Sequence, residues 1–139
     1  MKRSLICLFT LLLALPAFAE RKHSAGEYDV HYIAFNSSFL QPEIASAAGL
    51  ARSKQQGVMN ISVLKGGKPV AARVSGSMQN LLSQRRTLEF KELKEGEAVY
   101  YLSQFPLKER ETLRFSINVQ PEGGTPINFD FSQEMFPDE

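Results

Sequence analysis

Between residues 113 and 120 the side chains take turns. Leu113, Phe115, Ile117 and Val119 are apolar, and Arg114, Ser116, Asn118 and Gln120 between them are polar. Successive side chains of an extended strand point to opposite faces, so this run offers one face to a core and one to water. Wound into a helix, the same apolar residues would fall on both sides of it. The run must therefore belong to a sheet, and the sheet needs a second apolar layer to cover it. Ile127, Phe129 and Phe131 repeat the pattern against Asn128, Asp130 and Ser132. Between the two runs stand Pro121, Gly123 and Gly124. Pro with paired Gly predicts a hairpin loop.

The upstream sequence extends this reading. Tyr28 to Phe35 is β-rich on both faces, apart from Asp29 and His31. Met59, Ile61 and Val63 form one face of a strand running to Leu64. Lys65-Gly66-Gly67-Lys68 predicts a tight turn into Val70, Ala72 and Val74. Leu88 and Phe90 belong to a strand that ends at Lys94-Glu95-Gly96-Glu97, and Val99, Tyr101, Ser103 and Phe105 to the next. About seven strands on short turns predict an all-β fold, a single antiparallel β-sandwich of immunoglobulin- or fibronectin-like architecture. A closed barrel is the alternative. Neither the inter-sheet disulfide nor the buried Trp of immunoglobulin domains is expected, so the likeness is one of architecture. One short helix is expected over Pro42–Ala48. Pro42 suits the first helical position, Glu43 complements the helix dipole, and Gly49 stands where the helix should stop. Gln41 is a poor cap, so this helix must depend on packing through Ile44.

The first 19 residues form an address. Lys2 and Arg3 are followed by an apolar run from Leu5 to Leu15, then Pro16 and the small-x-small pattern Ala17-Phe18-Ala19. That three-part pattern is a secretory signal peptide. The apolar run is shorter than the roughly 20 residues that span a bilayer, so no stable membrane anchor is expected after cleavage. Cys7 lies inside the run and not at a cleavage boundary, which argues against a lipoprotein. The expected organisation is a signal peptide over 1–19, a flexible leader over 20–26 and one β-sandwich domain over 27–139. Cleavage also removes the only cysteine, so no disulfide and no thiol chemistry remain. Without Lys2 and Arg3, the 16 basic residues fall to 14 against 15 acidic ones. That balance excludes a nucleic-acid binder, which needs a surplus of basic residues on one face.

Residue types that carry chemistry are present but dispersed. The candidate metal ligands are His23, His31, Met59, Met78 and Met135, and none has paired ligand spacing. His31 reads as a strand residue, and Met59 and Met78 as core filling. Ser75-Gly76-Ser77 is not a nucleophile elbow, and no Gly-rich phosphate loop precedes a helix. Glu109 and Glu111 stand in a mixed-charge run that reads as a solvated loop. No catalytic residue, cofactor or metal is therefore assigned, and the chain is expected not to be an enzyme. The segment from His31 to Lys54 is denser in aromatic and short polar residues. It is expected to cap one end of the sandwich and to plug its core with Phe39, Leu40 and Ile44.

Several runs resemble one family. They are His31-Tyr32-x-Ala34-Phe35-Asn36-x-x-Phe39-Leu40-x-Pro42-Glu43, Gly49-Leu50-x-Arg52-Ser53-Lys54, Asn60-Ile61-Ser62-Val63-Leu64 and Phe131-Ser132-Gln133-Glu134-Met135-Phe136. Over Tyr28 to Phe136 the chain is similar to the DUF4426 family of exported proteins of Gram-negative bacteria, to which no function is assigned. The resemblance implies an all-β periplasmic domain and supplies no catalytic residues. The expected role is a non-catalytic binding or accessory module that meets a protein partner in the periplasm. A metal or small-ligand carrier is the alternative. The candidate interaction surface is His31, Tyr32, Asn36, Arg52, Ser53 and Lys54. Mass spectrometry of the exported protein is expected to find Glu20 as its first residue; retention of the first 19 residues would overturn the address.

Overall fold

Two antiparallel sheets face each other across one apolar layer. The structure is a computed structural model, and it describes residues 21–137. The expected signal peptide lies outside these residues. The strands are β1 (Arg21–Ala25), β2 (Tyr28–Asn36), β3 (Gln56–Lys65), β4 (Lys68–Pro69) and β5 (Ala72–Gln79). They continue with β6 (Arg85–Leu88), β7 (Lys91–Glu95), β8 (Ala98–Pro106), β9 (Glu111–Pro121) and β10 (Ile127–Met135). One sheet runs β1-β2-β3-β8-β7, with β4 added beside β3, and the other runs β10-β9-β5-β6. The helix α1 (Pro42–Ala48) lies between β2 and β3 in the chain.

The alternating run of β9 is buried as its period requires. Leu113, Phe115, Ile117 and Val119 are at most 2% exposed. They face Val30, Met59, Ile61, Val63 and Phe105 of the opposite sheet. The polar partners on β9 point to water, where Arg114 meets Asp130 at 3.0 Å. Hydrogen bonds from Arg114 and Ser116 hold the Asp130 carboxyl below the usual aspartate range. A second tie crosses the core. The Tyr101 hydroxyl on β8 accepts the Ala72 N–H of β5 at 2.8 Å and donates to Glu92 of β7 at 3.2 Å. Burial raises the pKa of this phenol, so it stays a donor at neutral pH.

The sandwich expected from sequence is present, with ten strands among the described residues instead of about seven. Two expected strands are each split in two. At Val70–Ala71 and at Glu89–Phe90 the chain leaves one sheet and enters the other, so β4 and β5 differ in sheet, as do β6 and β7. Continuous β-rich sequence does not reveal such a corner, because both pieces still alternate. The third addition is the leader. Instead of fraying, Arg21–Ala25 pairs with β2 from Arg21 opposite Tyr32 to Ala25 opposite Tyr28. His23 stacks on Phe129 with centroids 4.8 Å apart, and the Arg21 guanidinium lies 5.6 Å from the Phe131 ring. Both residues bury flat or aliphatic surface that a hydropathy pattern scores as polar.

The helix forms where the sequence places it, and Gly49 ends it with φ 68°. The Leu50 N–H reaches back to the Ala45 carbonyl at 2.8 Å, which satisfies the last turn. The segment does not plug the inter-sheet core, however. Leu40, Ala45 and Ala48 bury against Val58 and Leu102 on the outer face of the larger sheet, as a second small core. Phe39 is 56% exposed.

Gly57 on β3 shows how tightly the main core is filled. A Cβ at this position would overlap the Phe105 ring. Gly57→Ala is therefore expected to cost about 1–3 kcal/mol in chemical denaturation, through overpacking. Phe105→Leu added to it should cost less than the sum of the two single changes, since the smaller side chain frees that space. Strict additivity would show that the ring does not set the requirement for glycine.

Candidate functional site

Strand β3 changes neighbours part-way along. It pairs with β8 from Gln56, opposite Pro106, to Ile61, opposite Tyr101. It then pairs with β4 at Leu64 and Lys65 only. Val70 N–H bonds the Val63 carbonyl at 3.0 Å and anchors this second branch. The sheet thus forks at Ser62. On its outer face a groove of about 240 Å³ opens at the fork, lined by His31, Ser62, Leu64, Pro69, Ala98 and Tyr100. The register sets His31 directly opposite Ser62. α1 covers the other half of the same face. Asn60 stands between the two halves, and its buried Oδ1 meets no hydrogen-bond donor among the described residues. The groove therefore has apolar walls, with a hydroxyl, an imidazole and a phenol at its surface.

A different arrangement occupies the end of β2. Asn36 accepts the Ser38 N–H at 3.0 Å through Oδ1, and donates through Nδ2 to the Lys54 carbonyl at 3.0 Å and the Phe136 carbonyl at 3.3 Å. Ser37 Oγ donates to the Ser53 carbonyl at 2.7 Å and accepts the Ser53 N–H at 2.9 Å. Ser37 is fully buried and Asn36 nearly so. These two side chains clasp the loop before β3, and Asn36 also clasps the exit of β10. Gln104 adds a third fastening, with Nε2 donating to the Ala51 carbonyl at 2.5 Å and Oε1 accepting the Ala51 N–H at 3.3 Å.

The six residues selected from the sequence are not brought onto one surface. His31 lines the groove. Tyr32, its neighbour in the strand, points to the opposite face and packs on Phe129 and Phe131 at 4.8 and 4.4 Å between centroids. Asn36 and Ser53 belong to the clasp. Arg52 and Lys54 are exposed at its rim, where Arg52 donates to the Ser38 carbonyl at 3.3 Å. The sequence reading missed Ser62 and Tyr100 in the groove and Gln104 in the clasp, whereas Ser37, a short polar residue at a strand-to-loop exit, satisfies backbone groups there as its type predicts. Strand register alone could have found Ser62, since it follows from pairing β2 with β3 through their apolar faces. Among the described residues, no three or more His, Cys, Asp or Glu side chains are grouped to hold a metal ion. None of their helices is long and apolar enough to cross a membrane.

Comparison with known proteins adds to this geometry. The sequence profile of DUF4426, a domain of unknown function, matches residues 22–138. The chain belongs to the DUF4426 family. A crystal structure of a DUF4426 family protein from Pseudomonas aeruginosa is 50% identical, covers 86% of this chain and 97% of its own, and superposes with a TM-score of 0.83. FetP of uropathogenic Escherichia coli shares the fold at 10% identity, over 88% of this chain and 100% of FetP, with a TM-score of 0.63. A copper-bound variant of FetP gives 0.61, at 10% identity over 84% of this chain and 94% of that one. No curated protein matches the chain.

In this DUF4426 domain the clasp holds loops and the groove lies open, so substitutions should separate the two. Ser37→Ala leaves the half-buried Ser53 N–H and carbonyl without the Ser37 hydroxyl and is expected to cost about 1–3 kcal/mol in urea unfolding. Arg52→Ala removes one exposed contact and should stay within about 0.5 kcal/mol of wild type. Equal costs for the two would mean that the clasp does not hold the loop.

Proposed function

We propose that the protein is a non-catalytic binding module, exported to the periplasm, that takes an extended segment or side chain of a partner protein in the groove at the fork of its larger sheet. One observation carries this reading. His31, Ser62 and Tyr100 share an open trough of about 240 Å³. Sites that enclose a small molecule run to about 300–1,000 Å³ and bury most of the ligand. A trough on a sheet face suits a chain laid across it, with apolar walls for a side chain and a few polar groups to orient it. The export signal read from the sequence supports the location, as does the fold shared with FetP, which was crystallised after expression in a periplasm.

A photo-activated cross-linking residue at Ser62 tests the reading in cells. It is expected to give one adduct of defined mass, whereas the same residue at Ser75, exposed on the smaller sheet, gives none. Absence of an adduct, or the same adduct from both positions, rejects the groove. The copper-bound FetP variant favours a second reading, a metal carrier. Titration of the metal-free protein with copper and with zinc is expected to leave Tm unchanged. A rise would favour the carrier, because a ligand of the native state must stabilise it.

A further inference from the structure

The free edge of a sheet carries backbone N–H and C=O groups that pair with any extended chain, and proteins guard such edges with charge, lysine or proline. Most of the edges here are guarded. β1 carries Arg21 and Lys22, β4 carries Lys68 and Pro69, and β6 carries Arg85 and Arg86. β7 is charged at every residue but Leu93. β10, the end strand of the smaller sheet, differs. Its nine residues, Ile127–Met135, include no Lys, Arg or Pro. Its two acids are already paired within the chain, Asp130 with Arg114 and Glu134 with Arg110, both at 3.0 Å.

Two contacts fix which backbone groups of β10 lie open. The Glu122 N–H, just beyond β9, bonds the Ala71 carbonyl at 3.2 Å on the β5 side. Backbone direction alternates along a strand, so even-numbered residues of β9 turn their N–H and C=O groups to β5 and odd-numbered ones to β10. The odd-numbered residues of β9 stand opposite the odd-numbered residues of β10, whose backbone groups are thereby used. Asn128, Asp130, Ser132 and Glu134 are left facing outward. Arg21 agrees with this direction. Its Nη1 meets the Ser132 carbonyl from the open side, at 3.5 Å, the long limit of a hydrogen bond.

Charge then selects the occupant and its register. A strand that fits this edge must match it in length, lack proline and set no acid opposite Asp130 or Glu134. β10 of a second copy, running antiparallel about a two-fold axis, meets these terms in one way. Centred on Asp130, the pair would set that carboxylate against its own copy. Centred on Ser132, it would set Asp130 against Glu134. Centred on Phe131, it sets Asp130 opposite Ser132 and Glu134 opposite Asn128, with no like charges facing. In that register every outward N–H meets a carbonyl, and on the core side Phe131 meets its own copy and Ile127 meets Met135. We propose that two copies of the chain pair β10 to β10 in this register and join their four-stranded sheets into one. Arg21 gives up the Ser132 carbonyl to the Asp130 N–H of the other copy. The groove lies on the outer face of the other sheet, so this pairing does not depend on it.

Sedimentation velocity of the processed protein over a concentration series tests the pairing. A dimer in equilibrium with monomer is expected, because one strand pair is a small interface. Ser132→Asp sets acid against acid at both symmetry-related places and should raise Kd at least about fivefold. Ser132→Lys sets a cation opposite Asp130 of the other copy and should lower Kd at least about fivefold. Ser132 is exposed, so Tm of the dilute monomer should stay the same in both variants. Ser132→Pro removes an N–H that faces outward and should also weaken the dimer, since an edge strand accepts proline there. Monomer at every concentration, a dimer indifferent to these changes, or one that Asp and Lys shift in the same direction overturns the proposal.

Discussion

Ring-on-ring packing across the two sheets is the contact on which the rest of the molecule depends. Phe105 meets Phe115 at 5.6 Å between centroids, Phe115 meets Phe131 at 5.1 Å, and Phe131 meets Tyr32 at 4.4 Å. Tyr32 leads on to Phe129, and Phe129 to His23. This chain of rings joins β8, β9, β10, β2 and β1, and so ties both sheets together without a covalent link. No cysteine occurs among the described residues. Each aromatic pair adds about 0.5–1.5 kcal/mol beyond the area it buries. The same rings explain why Gly57 must lack a side chain and why the leader is ordered: each fits against an aromatic face already fixed by its neighbours.

With the inner faces committed to that layer, only the outer faces can vary. The smaller sheet turns a polar surface to water, with the Arg114–Asp130 pair across it. The larger sheet cannot do the same, because Val58, Leu102 and Phe35 leave its outer face apolar. α1 covers half of it. The fork at Ser62 makes the other half concave, since β4 occupies the place beside β3 that β8 would otherwise take. A groove and a covering helix are thus two answers to one excess of apolar surface.

The sequence made the sheets legible and left their boundaries obscure. Strict alternation in Leu113–Val119 can be satisfied in only one way, so β9 was readable from residues alone. So were the glycine turn at Gly66–Gly67 and the helix between Pro42 and Gly49, where backbone chemistry is local. The sheet-switching corners at Val70–Ala71 and Glu89–Phe90 were not, because alternation says which way a side chain points and not which sheet receives it. β1 was obscured because its packing uses an imidazole and a guanidinium. The site was least legible. His31 was selected, but its partner Ser62 is an ordinary polar residue of a strand and gains meaning only from the register. Asn36 and Ser53 stood out in the sequence as a surface, whereas their hydrogen bonds are spent on holding loops.

The first strand and the last are neighbours. Arg21 reaches the Ser132 carbonyl, and Gln133 reaches the Ala34 carbonyl at 2.9 Å, across 111 and 99 residues of chain. The aromatic layer is complete only with β10, because a chain without Ile127–Met135 leaves the rings of His23, Tyr32 and Phe115 without their partners Phe129 and Phe131. Such topology delays collapse by its large loop-closure entropy.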